Sequence, residues 1–314
     1  MSFFHPFRDN GILGMNRRNA NYVLKYNQRK YYPLVDDKLK TKQLLEAHGL
    51  PSPILYFEFQ YEFELRYLRE IKHLKKFAIK PARGAEGRGI LVIADKSEKG
   101  WITTSGELLT TDDMEYHVSN ILAGLYSLSG VDDQAFMEYF VESHPVFHPF
   151  TEKGVPDIRV ILYRGVPIMS MLRLPTLQSR GKANLHQGAV GAGIDMTRGI
   201  TLGGVHENKL IQKHPDTHVA IEGHQIPFWN YVLETAAKTY EIFKLGYFGI
   251  DFVIDSQLGP LILELNARPG LSIQLANRQG LLPRLNAVDQ HPAVESLPYT
   301  DRLQIAQDIL KLNT

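Results

Sequence analysis

Hydrophobic and polar positions alternate between two periods along the chain. In "DDKLKTKQLLEAHGLPSP", Leu39, Leu44, Leu45 and Ala47 line one side of a helix. Asp36 or Asp37 is placed to cap it, Gly49 to stop it, and Pro51 follows. Leu65, Leu68, Ile71 and Leu74 predict a second helix over residues 61–75. The period then shortens. "KFAIKPARGAEGRGILVIA" predicts a strand at Phe77–Lys80, a glycine-rich loop at 81–89 and a returning strand at Ile90–Ala94. Residues 112–128 are expected to be helical, and "QAFMEYFVE" to be a strand. "DIRVILYRGVPIMSMLRLPT" predicts a hairpin turning at Arg164–Gly165, followed by a glycine-punctuated loop, "SRGKANLHQGAVGAGID". The clearest helix covers 228–245, where Trp229, Val232, Leu233, Ala236, Ala237, Tyr240 and Phe243 share a face and Gly246 ends the run. "FGIDFVIDSQLGPLILELNARPG" is a second hairpin. Residues 1–35 show no period and are expected to be irregular, aromatic and locally basic.

The last hairpin carries an anomaly. With a four-residue loop "SQLG", Asp255 pairs with Pro260, Asp251 with Glu264 and Gly249 with Asn266. Asp251, Glu264 and Asn266 then share one face, while Phe252, Ile254, Leu261, Leu263 and Leu265 take the other. Two directly opposed carboxylates repel unless water screens them or a cation separates them. Either this face is exposed to solvent, or a cation sits there. Three hard oxygen donors suit Mg²⁺ or Mn²⁺, and such a set stays incomplete without the phosphates of a nucleotide.

The loop "PARGAEGRG" offers the complementary chemistry. Gly84, Gly87 and Gly89 allow backbone N–H groups to converge on an anion, and Arg83 and Arg88 add positive charge beside Lys80. On its own this is also what an ordinary hairpin loop contains. The strand–loop–strand context excludes the strand–helix start of a dinucleotide site.

Composition narrows the class. A chain of 314 residues exceeds one hydrophobic core and predicts two or three subdomains. With 44% hydrophobic and 22% charged residues it reads as an ordinary globular protein. A net charge of +1 supplies no strong field toward nucleic acid or membrane, so the basic residues among the N-terminal tyrosines are read as a solvated or substrate-facing surface. No run approaches the ~20 apolar residues of a membrane span. There is no cysteine, hence no disulfide and no thiolate ligand, which suits a reducing cytoplasm. "MSFFHPFRDNG" lacks the charged start and apolar core of a secretion signal. The histidine pairs in "HPVFH" and "HPDTH" each adjoin a proline and are read as loop residues.

Taken in order, "DDKLKTKQLLEAHGLPSP", "FAIKPARGAEGRGI", "FMEYFVE", "GIDFVI" and "LILELNARPG" resemble the ATP-grasp ligases over roughly residues 11–290. "DIRVILYRG", "MLRL" and "ANLHQGA" resemble the alpha-L-glutamate ligase-like group within them. The resemblance implies an α+β fold in which two subdomains clasp ATP. It implies an abbreviated N-terminal region (1–75), a lid subdomain (76–142), a subdomain with the metal site (143–290) and a C-terminal tail helix (291–314). It further implies that Lys38 and Lys80 reach the phosphates, that Arg83, Gly84, Gly87 and Gly89 belong to the lid, and that Glu138, Tyr139, Phe140 and Val141 form the linker facing adenine. Asp251, Glu264 and Asn266 match the magnesium ligands. Arg159, Arg173, Asn184 and His186 match positions near the transferred phosphoryl group and the substrate, and Arg268 is an added charge suited to a carboxylate. The implied reaction joins a carboxylate, such as an amino acid, to an amine through an acyl phosphate. The alternatives are a nucleotide-binding module without turnover and an enzyme with a thiol acceptor. Two features depart from the pattern. The N-terminal region is shorter than usual, and Lys182, Gln187 and Ala189 stand where the glutamate-adding branch more often has Arg, Arg and Gly.

Overall fold

The computed structural model describes residues 11–84, 87–127, 130–151 and 153–311. Ala85 and Glu86 of the glycine loop, the first ten residues and the last three lie outside the described residues. The chain forms two compact units. One runs from Asp36 to Val141, and the other joins the described residues up to Val35 to those from Glu142 onward. The stretch read as one N-terminal region is thus divided between them.

The Asp36–Val141 unit begins with α1 (Lys38–Ala47), capped by Asp37, whose Oδ1 accepts from the N–H of Lys40 at 3.1 Å. Strands β1 (Leu55–Phe59), β2 (Phe77–Pro81), β3 (Leu91–Ser97), β4 (Gly100–Thr103), β5 (Leu108–Leu109) and β6 (Ala135–Tyr139) form an antiparallel sheet in the order β1-β6-β2-β3-β4-β5. Helix α2 (Thr111–Leu122) packs Met114, Val118 and Ile121 against Phe77, Ile79, Ile93, Trp101 and Met137. It ends short of residue 128. Gly124 turns with φ +78, and a Cβ there would meet Val131 O at 2.2 Å.

The helix expected over 61–75 is instead two 3₁₀ segments, Glu62–Arg69 and Ile71–His73. The reason lies in the spacing itself. Leu65, Leu68, Ile71 and Leu74 recur every three residues, which is the 3₁₀ repeat and not the 3.6 of an α-helix. The Glu64 carboxylate accepts from the N–H groups of Gln60 and Tyr61, at 2.6 and 2.8 Å, and fixes the tight entry.

The second unit is built on β7 (Asp157–Tyr163), β8 (Val166–Leu174), β9 (Val190–Asp195), β10 (Ile200–His206), β11 (Lys209–Ile211), β12 (Tyr247–Asp255) and β13 (Gly259–Asn266). They pair in the order β11-β10-β9-β8-β7-β12-β13. Arg164 and Gly165 turn the first hairpin with φ of 50° and 80°, as a two-residue loop between twisted strands demands. The glycine-punctuated loop is shorter than expected, because its last six residues are β9. Glycine is used there for contact: a Cβ on Gly193 would lie 2.5 Å from Ala276 O. Helix α3 (Trp229–Phe243) buries the expected face. Helices α4 (Ile273–Ala276), α5 (Leu282–Asp289) and α6 (Tyr299–Lys311) complete the unit.

Among the described residues of the N-terminal stretch, the chain is largely helical and not irregular. Residues Met15–Tyr26 coil continuously, with Arg18–Val23 in π-helical form. Tyr22 and Val23 join the core, and the Tyr22 ring meets that of Tyr163 edge-on at 5.4 Å. Among the described residues, no helix is long and apolar enough to cross a membrane.

Candidate functional site

The strand order β8-β7-β12-β13 sets a row of charged side chains across one sheet. Asp157 pairs with Arg173, Arg159 with Asp251, and Asp251 with Glu264. The carboxylate register is therefore the one read from the sequence, but it arises differently. The turn is one residue tighter, with Asp255 opposite Gly259, and an irregularity between Asp251 and Phe252 takes up the extra residue at Leu263.

Arg159 grips Asp251 with both ends of its fork, Nε to Oδ1 at 2.7 Å and Nη2 to Oδ2 at 2.6 Å. Arg173 donates from Nη2 to the same Oδ2 at 2.5 Å and to Asp157 Oδ2 at 2.7 Å. Its Nε also donates to Asp157 Oδ1. All four of these side chains are buried. Burial alone would raise the Asp251 pKa, but the two guanidiniums outweigh it and hold the carboxyl below its usual range. Burial pushes the Asp157 carboxyl up to about 7, against the pull of Arg173 and with the charge of Asp251 adding to the rise. Burial opposes the charge of Arg173 as well, yet Asp157 and Asp251 together raise its pKa.

Glu264 is half-buried and stands directly opposite Asp251 across the β12–β13 pair. Two opposed carboxylates repel unless a proton or a cation compensates them. The arginines supply cations on the inner side of Asp251, while Glu264 lies on the other. Two residues beyond Glu264 stands Asn266, whose Oδ1 accepts from the N–H of Arg268 at 2.8 Å. Glu264 and Asn266 are hard oxygen donors, and Asp251 would be shared with the arginines; this set suits a magnesium-type ion. Among the described residues, no three histidine or carboxylate side chains gather as a ready metal cage. The exposed Arg268 guanidinium lies over the Tyr32 ring at 4.8 Å.

Asn184 and His186 lie on the loop entering β9, whose Gly191 stands opposite Arg173. Asn184 Oδ1 accepts from the N–H of His186 at 3.0 Å. His186 lines a cavity of about 360 Å³ together with Gln178, Gly188, Glu207, Asn208 and Ser272.

In the Asp36–Val141 unit the sequence-derived lysines have defined partners. The Lys80 ammonium bonds Glu138 Oε1 at 2.5 Å, and Lys42 bonds Glu138 Oε2 at 2.7 Å. Lys42 also donates to Pro53 O. Burial works to raise the Glu138 pKa, but the two lysines overcome it and depress the carboxyl. Burial lowers the pKa of Lys42, with Glu138 working against it. Lys38 donates from Nζ to Gly84 O at 2.5 Å, and from its backbone to Ala82 O at 2.8 Å. Arg83 lies 3.4 Å from Asp37 Oδ2, and its N–H donates to Asp133 Oδ2 at 3.0 Å. Gly87 and Gly89 both have positive φ. A Cβ on Gly84 would lie 2.3 Å from Pro81, and one on Gly89 would lie 2.6 Å from the Tyr126 ring.

Glu138 and Tyr139 are paired within the sheet, opposite Ala78 and Phe77, and the Tyr139 N–H donates to Ile54 O at 2.8 Å. Phe140 and Val141 lie beyond the last pair of β6, with Lys76 5.7 Å from the Phe140 ring centroid. The Glu138 side chain thus serves the lysines. Sequence reasoning missed Lys42, whose signal was a lysine four residues after Lys38 on the same helix. It also missed Asp133, which left no pattern to find.

A family model described as sugar-transfer associated ATP-grasp matches residues 17–290. Among solved structures, D-alanine–D-alanine ligase from Bacillus anthracis, complexed with ATP, is 13% identical with a TM-score of 0.46, over 92% of this chain and 72% of that one. The ATP-grasp ligase PsnB, complexed with a phosphomimetic variant of its minimal precursor, Mg and ADP, is 14% identical with a TM-score of 0.46, over 84% of this chain. The match spans 60% of PsnB, less than two thirds of its length. D-cycloserine synthetase DcsG is 14% identical with a TM-score of 0.41, over 90% of this chain and 72% of its own. No curated protein matches.

Proposed function

Because this chain belongs to the sugar-transfer associated ATP-grasp family, we propose that it is an ATP-dependent ligase joining a carboxylate to an amine. The observation that carries this reading is the placement of Glu264 opposite Asp251 on adjoining strands, beside the Arg159–Arg173 pair. Arg159 and Arg173 compensate Asp251 from the β7 side, Glu264 faces it from β13, and the oxygens on that side suit magnesium. Glu264 and Asn266, with Asp251, would hold it. The ion would neutralise charge on the phosphoryl group in flight.

The protein's own residues do the rest. Lys80, steadied by Glu138, and Lys38, at the start of α1 and bonded to Gly84 O of the glycine loop, bind phosphate oxygens. Arg83, Gly84, Gly87 and Gly89 close over them, and Phe140 and Val141 offer backbone groups to the base. An oxygen of the substrate carboxylate attacks the γ-phosphorus, the bond to the β-phosphate oxygen breaks, and ADP leaves. The amine then attacks the acyl carbon, phosphate departs, and the amine gives up a proton. Arg159 and Arg173 stabilise the anionic states, and Arg268 holds a substrate carboxylate. No side chain has to act as nucleophile, so catalysis rests on placement and charge.

In this reading the acid is an amino acid such as glutamate, following the sequence resemblance, with Asn184 and His186 as substrate-binding residues. The family is described as sugar-transfer associated, and amino sugars are therefore included among the amines screened. The test is ADP release with a panel of acids, each with amines, amino sugars or thiols added. Release that needs both an acid and an amine is expected. Nucleotide binding without release for any acid would favour a binding module, and release with thiols alone would favour a thiol acceptor. Glu264→Ala should lower turnover by at least about 100-fold with the fold retained. Wild-type activity in that variant would remove the metal assignment.

A further inference from the structure

The segment holding Asn266 and Arg268 leaves the sheet at once, and Ala267, Arg268 and Pro269 have no strand to pair with. All three of their carbonyls are nonetheless engaged, and by side chains from the N-terminal helical stretch and the residue that follows it. Asn27 Nδ2 donates to Ala267 O at 3.1 Å. Arg18 Nη1 donates to Pro269 O at 2.8 Å and to Arg268 O at 3.3 Å. The same Asn27 amide brackets Tyr247 at the start of β12, donating to its carbonyl at 2.7 Å and accepting from its N–H at 2.8 Å. One carboxamide therefore ties the entry of β12 to the exit of β13, the two strands that bear Asp251 and Glu264. Tyr32 supplies the aromatic face beneath Arg268. Arg18 and Asn27 are both buried.

We propose that Arg18, Asn27 and Tyr32 are positioning residues that hold Asn266 and Arg268 in register with Glu264. This rests on the ligase reading above. Loop carbonyls at a surface are ordinarily satisfied by water. Here buried donors fix three in succession, at the point where the chain has to keep an amide oxygen aimed beside a carboxylate. A displacement of a donor atom by about 1 Å is enough to lose ligation or productive geometry.

The test measures Mn²⁺ uptake in the presence of ATP by electron paramagnetic resonance, well below each variant's unfolding temperature. The affinity for metal-free ATP is measured alongside. Arg18→Met and Asn27→Ala should weaken Mn²⁺ uptake about tenfold, the scale of one lost hydrogen bond to a charged group, and leave metal-free ATP affinity unchanged. Arg18→Lys, which keeps a donor, should recover part of the loss. Tyr32→Leu, at a half-buried position, gives a smaller loss in the same direction and serves if the buried variants do not fold. Arg284→Met is the control. That arginine is also buried in this unit and donates to Ile168 O at 2.6 Å, so its loss should cost stability without changing Mn²⁺ uptake. Unchanged uptake in the Arg18, Asn27 and Tyr32 variants overturns the proposal. So does an equal loss in Arg284→Met, or a parallel fall in metal-free ATP affinity. A wild-type protein that takes up no Mn²⁺ with ATP overturns the metal-site reading itself, and this inference with it.

Discussion

Replacing Glu138 by glutamine tests the charge triad that steadies Lys80. Glu138 is almost wholly buried, with Lys42 at 2.7 Å on one oxygen and Lys80 at 2.5 Å on the other. Removing its charge leaves two ammoniums facing each other, one of them buried. Taking one partner from a buried ion pair costs about 3–5 kcal/mol. With a urea slope of about 1–3 kcal/mol per molar, the midpoint should fall by at least about 1 M. The chain has two tryptophans, Trp101 in the Asp36–Val141 unit and Trp229 in the other. In a Trp229→Phe background the fluorescence of the buried Trp101 therefore reports this unit alone. The pH dependence has a fixed sign. The Glu138 pKa is depressed in the folded state, so its stabilisation is fully present above the ordinary glutamate value of 4.5. It is lost as pH falls below that value toward the folded pKa, and the gap between wild type and Glu138→Gln should close only there. An unchanged midpoint at neutral pH, or a gap independent of acid, would refute the reasoning.

Two further variants probe the phosphate side. Gly89→Ala places a Cβ 2.6 Å from the Tyr126 ring at φ +74, and should cost at least about 1–2 kcal/mol for the left-handed backbone alone. Trp101-monitored unfolding checks this, and an unchanged midpoint would show that the loop rearranges freely. Lys80→Ala should weaken ATP binding about 10- to 100-fold, the range for a charge-assisted hydrogen bond. Equal affinity by calorimetry would remove Lys80 from the phosphate site.

The opposition of Asp251 and Glu264 was legible because side chains alternate with a period of two and a hairpin turn sets the count. The turn was misjudged by one residue, and the bulge at Leu263 cancelled that error. The arginines that neutralise Asp251 were not legible as its partners. Their pairing depends on β7 lying beside β12, a long-range choice that no local pattern encodes. The sequence reading took Leu65, Leu68, Ile71 and Leu74 as α-helical although their interval was three. It took the Gly191–Gly193 stretch as loop because glycine is rare in strands, whereas here it admits neighbouring atoms that a side chain would displace. The role of the N-terminal stretch was invisible for a related reason. Arg18 and Asn27 look like ordinary polar residues until the carbonyls they meet are known.

The distance in sequence between Arg18 and Pro269 has a consequence for how the molecule is made. They are 251 positions apart, and Asn27 and Tyr247 are 220 apart. At about 5–20 residues per second on the ribosome, the opening helix waits roughly 13–50 seconds for the segment it fastens. The whole Asp36–Val141 unit has emerged by then, with its own core and nothing left to synthesise. Birth order thus runs from the inside out. The inserted unit can close first, and the unit that begins the chain is the last to be finished.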